Sequence, residues 1–494
     1  MSRMQRLSCF LIRVHPFWIH LFYFLFISCF GFLALLVLKP KTASYDHFHP
    51  QNLDLFFTSV SAATVSSMSA VEMEAFSDPQ LIVLSVLMFI GGEVFTSMVA
   101  LQFRKFNLKF PDHKIASVPS DLEAKFDPPP PERLKYKSIK FLGFVVFGYL
   151  ILFNFLGIVM VLIYLKLAPT ARDILKQKGL KTTTFSIFVV VSTFASCGFV
   201  PTNENMIVFR KNLGLLLVLI PQALLGNTLF PSCLRASIWG LGKVVKKKKL
   251  KIVGFLLENS EEIGFLHLLP KLDSWLLVGS VCGFVVVQVV AIGAMEWSSG
   301  ALSGLNCGEK LVGILFLSVN SRHSGEAIVD LSILSPAILV LFAAMMLVFF
   351  LSPVRVRVRY LPPYTSFMPI KIDEGDRRTK RAKFMDNFLF SQLFYLIMFV
   401  FIICITERRN IKNDPLNFSL FNIIFEVISA YGNVGFSMGY SCKRQLYPSS
   451  VCVDKSFGFA GKWSDNGKLV LIVVMIFGRL KKFNMNKQRA WKLF

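Results

Sequence analysis

Residues 184–194, Thr-Phe-Ser-Ile-Phe-Val-Val-Val-Ser-Thr-Phe, form a short apolar run that ends in Ala195-Ser196-Cys197-Gly198-Phe199. The run is too short to cross a bilayer, which takes about 20 mostly apolar residues. Its length suits a re-entrant or interfacial helix, and a Ser/Gly turn follows at once. Three further runs, 53–65, 310–319 and 418–430, have the same build. They end in Thr64-Val65-Ser66-Ser67-Met68, Arg322-His323-Ser324-Gly325-Glu326 and Asn433-Val434-Gly435-Phe436. Successive turns are 131, 127 and 110 residues apart, counted from Ser67 to Gly198, Gly325 and Gly435. The chain therefore reads as four copies of one unit.

Longer apolar runs flank each short one: 17–38, 81–101, 141–165, 213–240, 274–295, 335–352, 388–405 and 467–482. The expected fold is an all-α membrane protein in which eight transmembrane helices form four repeats of membrane helix, pore loop and membrane helix around a pseudo-fourfold pore. Its units are 17–101, 141–240, 274–352 and 388–483, with loops at 102–140, 241–273 and 353–387. The first run is too long and too aromatic for a signal peptide and is read as retained. A composition of 54% hydrophobic residues with 51 Phe excludes an ordinary soluble domain.

Net charge is +24, from 54 basic and 30 acidic residues. The basic residues lie in blocks between apolar runs, which argues for loops on the anionic side of a bilayer and against nucleic acid. Arg3, Arg6 and Arg13 and the segments 104–140, 243–251, 355–383 and 481–492 all fall on one side when the spans are eight. Both termini are then cytoplasmic in a multi-pass membrane protein, and the short helices enter from the other face. Nine Cys without a Cys-x-x-Cys or a Cys/His cluster exclude a zinc ribbon.

Non-helical backbone at membrane depth must be buried or line water, since each unpaired N–H or C=O in lipid costs several kcal/mol. Four turns meeting on one axis satisfy that requirement by facing a pore. Helix C-terminal ends add negative dipoles there, and trailing carbonyls replace a cation's water shell. The expected activity is selective cation permeation. No cofactor is expected and no structural metal, only the permeating cation. The partners are that cation and the lipid bilayer, and a homodimer is compatible with the sequence.

The motifs at 59–68 (Ser-Val-Ser-Ala-Ala-Thr-Val-Ser-Ser-Met), 194–206, 319–326, 360–365 (Tyr-Leu-Pro-Pro-Tyr-Thr) and 429–436 (Ser-Ala-Tyr-Gly-Asn-Val-Gly-Phe) resemble the plant HKT cation transporters, relatives of the microbial Trk and Ktr transporters. The resemblance runs from about residue 17 to 492 and takes in all four turns in order. It implies a selectivity filter of Ser67, Gly198, Gly325 and Gly435, flanked by Ser66, Cys197, Ser324 and Val434. Ser in the first turn, where others carry Gly, resembles the Na⁺-selective subgroup, so the resemblance implies monovalent cations as the partners, permeating Na⁺ with K⁺ the second candidate, and a place in the plasma membrane. One departure stands out: residues 347–359 lengthen the approach to the Tyr-Leu-Pro-Pro motif.

Other readings compete. A K⁺ or Na⁺/K⁺ cotransporter shares this fold. An alternating-access secondary transporter would need repeats of opposite orientation and spans broken in mid-membrane. Ser321, His323 and Glu326 are the residue types of a hydrolase triad but sit within six residues, and the chain is read as no enzyme. Intramembrane charges are costly, so Glu426 and Arg479 are expected to pair, and exchanging them to restore part of the function. Asn417-Phe418-Ser419 is a sequon on the outer side, expected to be accessible to glycosylation. Cys442 and Cys452, in the same exposed segment, are expected to form a disulfide.

Overall fold

The computed structural model describes residues 16–41, 51–109, 130–244, 247–265, 267–348, 392–445, 452, 454 and 457–484. The first three basic residues, the 360–365 motif and most of the departure at 347–359 lie outside them. Each short apolar run is a helix: α2 (Asn52–Ala63), α6 (Thr182–Ala195), α10 (Cys307–Asn320) and α13 (Leu420–Gly432). Each starts where an extended residue precedes the apolar run. Asn306 and Glu309 build a capping box on α10, and the Ser419 hydroxyl caps α13.

The flanking helices are α1 (Pro16–Val37), α3 (Asp78–Gly91) and α4 (Glu93–Lys109) in the first unit. The second has α5 (Pro130–Leu167), α7 (Leu213–Gly226) and α8 (Phe230–Val244). The third has α9 (Lys271–Glu296) and α11 (Pro336–Val348), and the fourth α12 (Gln392–Thr406) and α14 (Asp465–Asn484). Among the described residues, three helices are long and apolar enough to cross a membrane, or five if each bent pair is one span. Their outward faces are apolar: Phe22, Phe26, Phe30, Phe144 and Phe155 are all more than half exposed, as lipid-facing residues are.

Spans two and four, expected to be continuous, are each broken. α3 and α4 meet at 56°, and α7 and α8 at 86°. Gly92 adopts extended backbone (φ −60, ψ 152) at the first break. At the second, Pro221 has already removed one N–H, and Pro231 suits the start of α8. The freed carbonyls find donors: Tyr23 Oη donates to Ile90 O (2.8 Å) and Tyr149 Oη to Leu225 O (2.9 Å). Broken spans were an expectation of the alternating-access reading, but here they serve packing around the short helices. Gly91 lies against the carbonyl of Ala63 and Gly226 against that of Phe194, where any Cβ would collide.

The helices close on themselves. α3 packs on α6, α7 on α10, α11 on α13, and α14 on α2. Each unit's last span thus covers the next unit's short helix, and the fourth returns to the first. That circular order makes the four turns neighbours.

Candidate functional site

The turns after α2, α6, α10 and α13 share a backbone device. The N–H of Ser66 bonds Ser61 O (2.8 Å), that of Cys197 bonds Ser192 O (2.8 Å), and that of Val434 bonds Ser429 O (3.1 Å). These bonds span five residues and reverse the chain at the helix end, as a Schellman-type cap does. Ser61, Ser192 and Ser429 stand six residues before Ser67, Gly198 and Gly435. Two of their hydroxyls also accept from the turn, Ser61 Oγ from Met68 N (2.8 Å) and Ser429 Oγ from Gly435 N (3.0 Å). This repeated Ser was in plain view in the sequence and went unread.

Left-handed backbone follows. Ser67, Gly198, Gly325 and Gly435 have φ of 56, 84, 66 and 99. Val65, Ser196 and Asn433, two residues earlier, are left-handed as well. A left-handed L-residue costs about 1–2 kcal/mol, most for a β-branched side chain such as Val65. The third turn departs: Gly325 N bonds Asn320 O (3.1 Å), one register later, and His323 is not among the left-handed residues.

The four positions form a ring. A Cβ placed on Gly198 would overlap the Ser324 carbonyl, one on Gly325 the Val434 carbonyl, and one on Gly435 the Ser67 Cβ. The Cys197 thiol lies against the backbone of Ser67 and closes the circuit. So turn two touches turn three, three touches four, four touches one, and one touches two. Ser66, Cys197, Ser324 and Val434 are fully buried behind it. Asn433 Nδ2 donates to Ser66 Oγ (2.7 Å), and Thr64 and Ser66 hydroxyls bond at 2.8 Å, so turns one and four are sewn together. On the same side, Lys468 Nζ meets Asp54 Oδ1 at 2.6 Å in a buried pair that ties α14 to α2. Lys178 bridges Glu74 (2.8 Å) and Glu204 (2.7 Å) between units one and two. Burial alone would lower the Lys178 pKa, but the hydrogen bonds it donates to Glu204 and Glu74 outweigh that and leave it raised.

A family model described as TrkH, cation transport protein, matches residues 32–492. The chain belongs to the TrkH family. This TrkH-family chain is 47% identical to "Cation transporter HKT1;3" of Oryza sativa subsp. japonica, over 98% of its own length and 92% of that protein's. It is 48% identical to "Sodium transporter HKT1" of Arabidopsis thaliana over 93% and 92%. Its fold resembles that of the potassium transporter TrkH from Vibrio parahaemolyticus, with TM-score 0.50, 16% identity and coverage of 97% of this chain and 84% of that one. It is a membrane-embedded cation transporter of the HKT/Trk kind, a transport protein and not an enzyme. The residues once weighed as a triad point three ways: Ser321 to Gln288, His323 to Thr228 and Glu326 to Thr193.

Two expectations need correction. Glu426 and Arg479 do not pair. Glu426 Oε1 accepts from Ser437 Oγ (3.0 Å) and Ala460 N (3.2 Å), holding the segment beyond turn four. Arg479 donates to Gly91 O (2.5 Å), lies over the Phe24 ring and feels the Glu93 carboxylate. The break in span two explains this: a cation is drawn to the exposed carbonyl end of α3. Arg479→Gln is expected to lower the melting temperature and surface level, because a buried group left unsatisfied costs about 1–3 kcal/mol. Exchanging the charges at 426 and 479 is expected to rescue nothing, and thermal melts of the single and exchanged variants check both.

Asn417 is not accessible. It is fully buried, with Nδ2 donating to Asp414 Oδ2 (2.9 Å) and Ser441 O (3.0 Å) and Oδ1 accepting from Ser441 N (3.3 Å). Both faces of the amide are in use, so a glycan would have to break the fold around it. Glycosidase treatment is expected to leave the gel migration of plant-expressed protein unchanged, and a downward shift assigned to this site would contradict the burial. The structure does bridge Cys442 and Cys452, with Cα atoms 5.9 Å apart, beyond turn four. Among the described residues no cluster of three His, Cys, Asp or Glu could hold a metal.

Proposed function

We propose that the ring of Ser67, Gly198, Gly325 and Gly435 is the selectivity filter of a passive, Na⁺-selective conduit in the plasma membrane, with the turns facing outward and both termini cytoplasmic. The observation that carries this reading is the ring: four left-handed positions in mutual contact, at the C-terminal ends of four short helices, with one side chain among them. Helix C-termini and carbonyls favour a cation over an anion. Ser67 then distinguishes this ring from one of four glycines. The Arabidopsis relative's name, a sodium transporter, points the same way.

Orientation rests on the blocks of Lys and Arg, which follow the even-numbered spans, and on the Cys442–Cys452 bridge, which suits an oxidising compartment on the filter side. K⁺ transport by the same ring is the competing reading. Two-electrode recording of the reversal potential, with external Na⁺ and K⁺ exchanged, separates them. A potential that follows Na⁺ and ignores K⁺ supports this proposal, and one that follows both equally overturns it.

A further inference from the structure

Glu326 follows Gly325 directly and is fully buried. Its Oε1 lies 2.6 Å from Thr193 Oγ1, whose single hydrogen it shares with Val189 O at 2.8 Å. Thr193 sits in the last turn of α6, five residues before Gly198. The carboxyl of turn three therefore reaches back behind turn two, at the contact where Ser324 and Gly198 meet. Its other oxygen, Oε2, accepts from no donor among the described residues, and Glu326 makes no ion pair with a described cation. Arg322, four residues earlier, lines a different cavity with Gln288, Thr228 and Ser280. The acidic group is thus fixed at one oxygen, uncompensated at the other, and placed one residue from the ring.

A purely structural role has little to recommend a carboxylate here, because an amide or hydroxyl would accept the Thr193 hydrogen bond without the desolvation cost of a buried charge. Without a counter-charge burial favours the neutral acid, and a cation nearby favours the ionised form, so the two are coupled strongly in low dielectric; the ring is where a cation sheds water. The third turn also lacks the paired left-handed residues of the other three, so fewer of its carbonyls share their aim.

We propose that Glu326 is a specificity-determining residue of the filter: anchored by Thr193 across the seam between turns two and three, it supplies a negative charge, ionised when a cation occupies the ring, that sets how tightly the ring holds that partly dehydrated ion. This rests on the ring being the filter.

The test is Na⁺ current against external Na⁺ in oocytes, normalised to surface protein. Glu326→Gln keeps the shape and the Thr193 hydrogen bond and removes only the charge. The half-saturating Na⁺ concentration is expected to rise about tenfold while the maximal current changes less than about threefold. Glu326→Asp, which keeps the charge, is expected to recover part of the affinity. An unchanged half-saturating concentration in Glu326→Gln overturns the proposal. If that variant fails to reach the surface, Thr193→Val decides: it leaves the charge but frees it, and is expected to raise the half-saturating concentration several-fold, with no change overturning the proposal. Gly435→Arg, run alongside, blocks current wherever the ring is the filter. Its failure to block condemns the ring, whereas block by Gly435→Arg beside a wild-type Glu326→Gln condemns the role of Glu326 alone.

Discussion

Gly198→Ala is expected to abolish cation current while much of the protein still reaches the membrane. At φ +84 the residue occupies backbone that an alanine adopts only at a cost of about 1–2 kcal/mol. The larger effect is steric. A Cβ at this position coincides with the carbonyl oxygen of Ser324, and the next nearest atoms are also backbone, the carbonyl carbon and Cα of Ser324. No rotamer change can clear it, so turn two must move away from turn three and the ring opens at that seam. Gly439→Ala is the matched control. It too is left-handed (φ +61), but nothing lies within 4 Å of the added carbon. It should carry only the backbone cost and retain near-wild-type current. Currents normalised to surface protein compare the two, and equal currents from both would show that the contact between turns two and three is unimportant.

The short helices were legible because two local signals agree at each of them. An apolar run too short to span gives the helix, and a Ser- or Gly-rich word gives its end; the observed α6, Thr182–Ala195, differs from the 184–194 reading by two residues at one end and one at the other. The pairing of Cys442 with Cys452 was equally local, a matter of spacing and compartment. What escaped notice depended on distant partners. Hydropathy is blind to a bend, so residues 81–101 and 213–240 read as straight spans although Gly92 and Asn227 break them. Once α3 ends at Gly91, its carbonyl competes for Arg479, and no inspection of Glu426 and Arg479 alone could foresee that rival. Asn417 satisfied a sequon that depends on three residues, while its burial depends on Ser441, 24 positions away. The repeated Ser61, Ser192 and Ser429 were local and could have been found by aligning the units on the turn and looking back along each helix.

Ser67→Gly is expected to admit K⁺. A Cβ resists positive φ, yet Ser67 takes φ +56 within the ring, so the strain is borne and not avoided. Its side chain is what matters. Ser67 Cβ fills the space that a Cβ on Gly435 would need, with its Oγ 2.7 Å from that same point. The side chain therefore wedges the seam between turns four and one, where Asn433 and Ser66 are already bonded. The Ser67 hydroxyl makes no hydrogen bond among the described residues, and the residue keeps 8% exposure. It is free to meet an ion that retains part of its water. A ring with one wedge and one hydroxyl offers a large ion an uneven set of oxygens, which suits the smaller Na⁺. Removing the side chain relaxes the left-handed cost at residue 67 and lets four glycines line the ring alike. The permeability ratio of Na⁺ to K⁺ should then fall about tenfold or more, roughly 1.4 kcal/mol of lost discrimination. Bi-ionic reversal potentials measure it. Ser67→Ala separates the two contributions: if wedge volume governs selectivity it stays near wild type, and if the hydroxyl governs it follows Ser67→Gly. A ratio unmoved in Ser67→Gly would mean that selectivity is set elsewhere than at this ring.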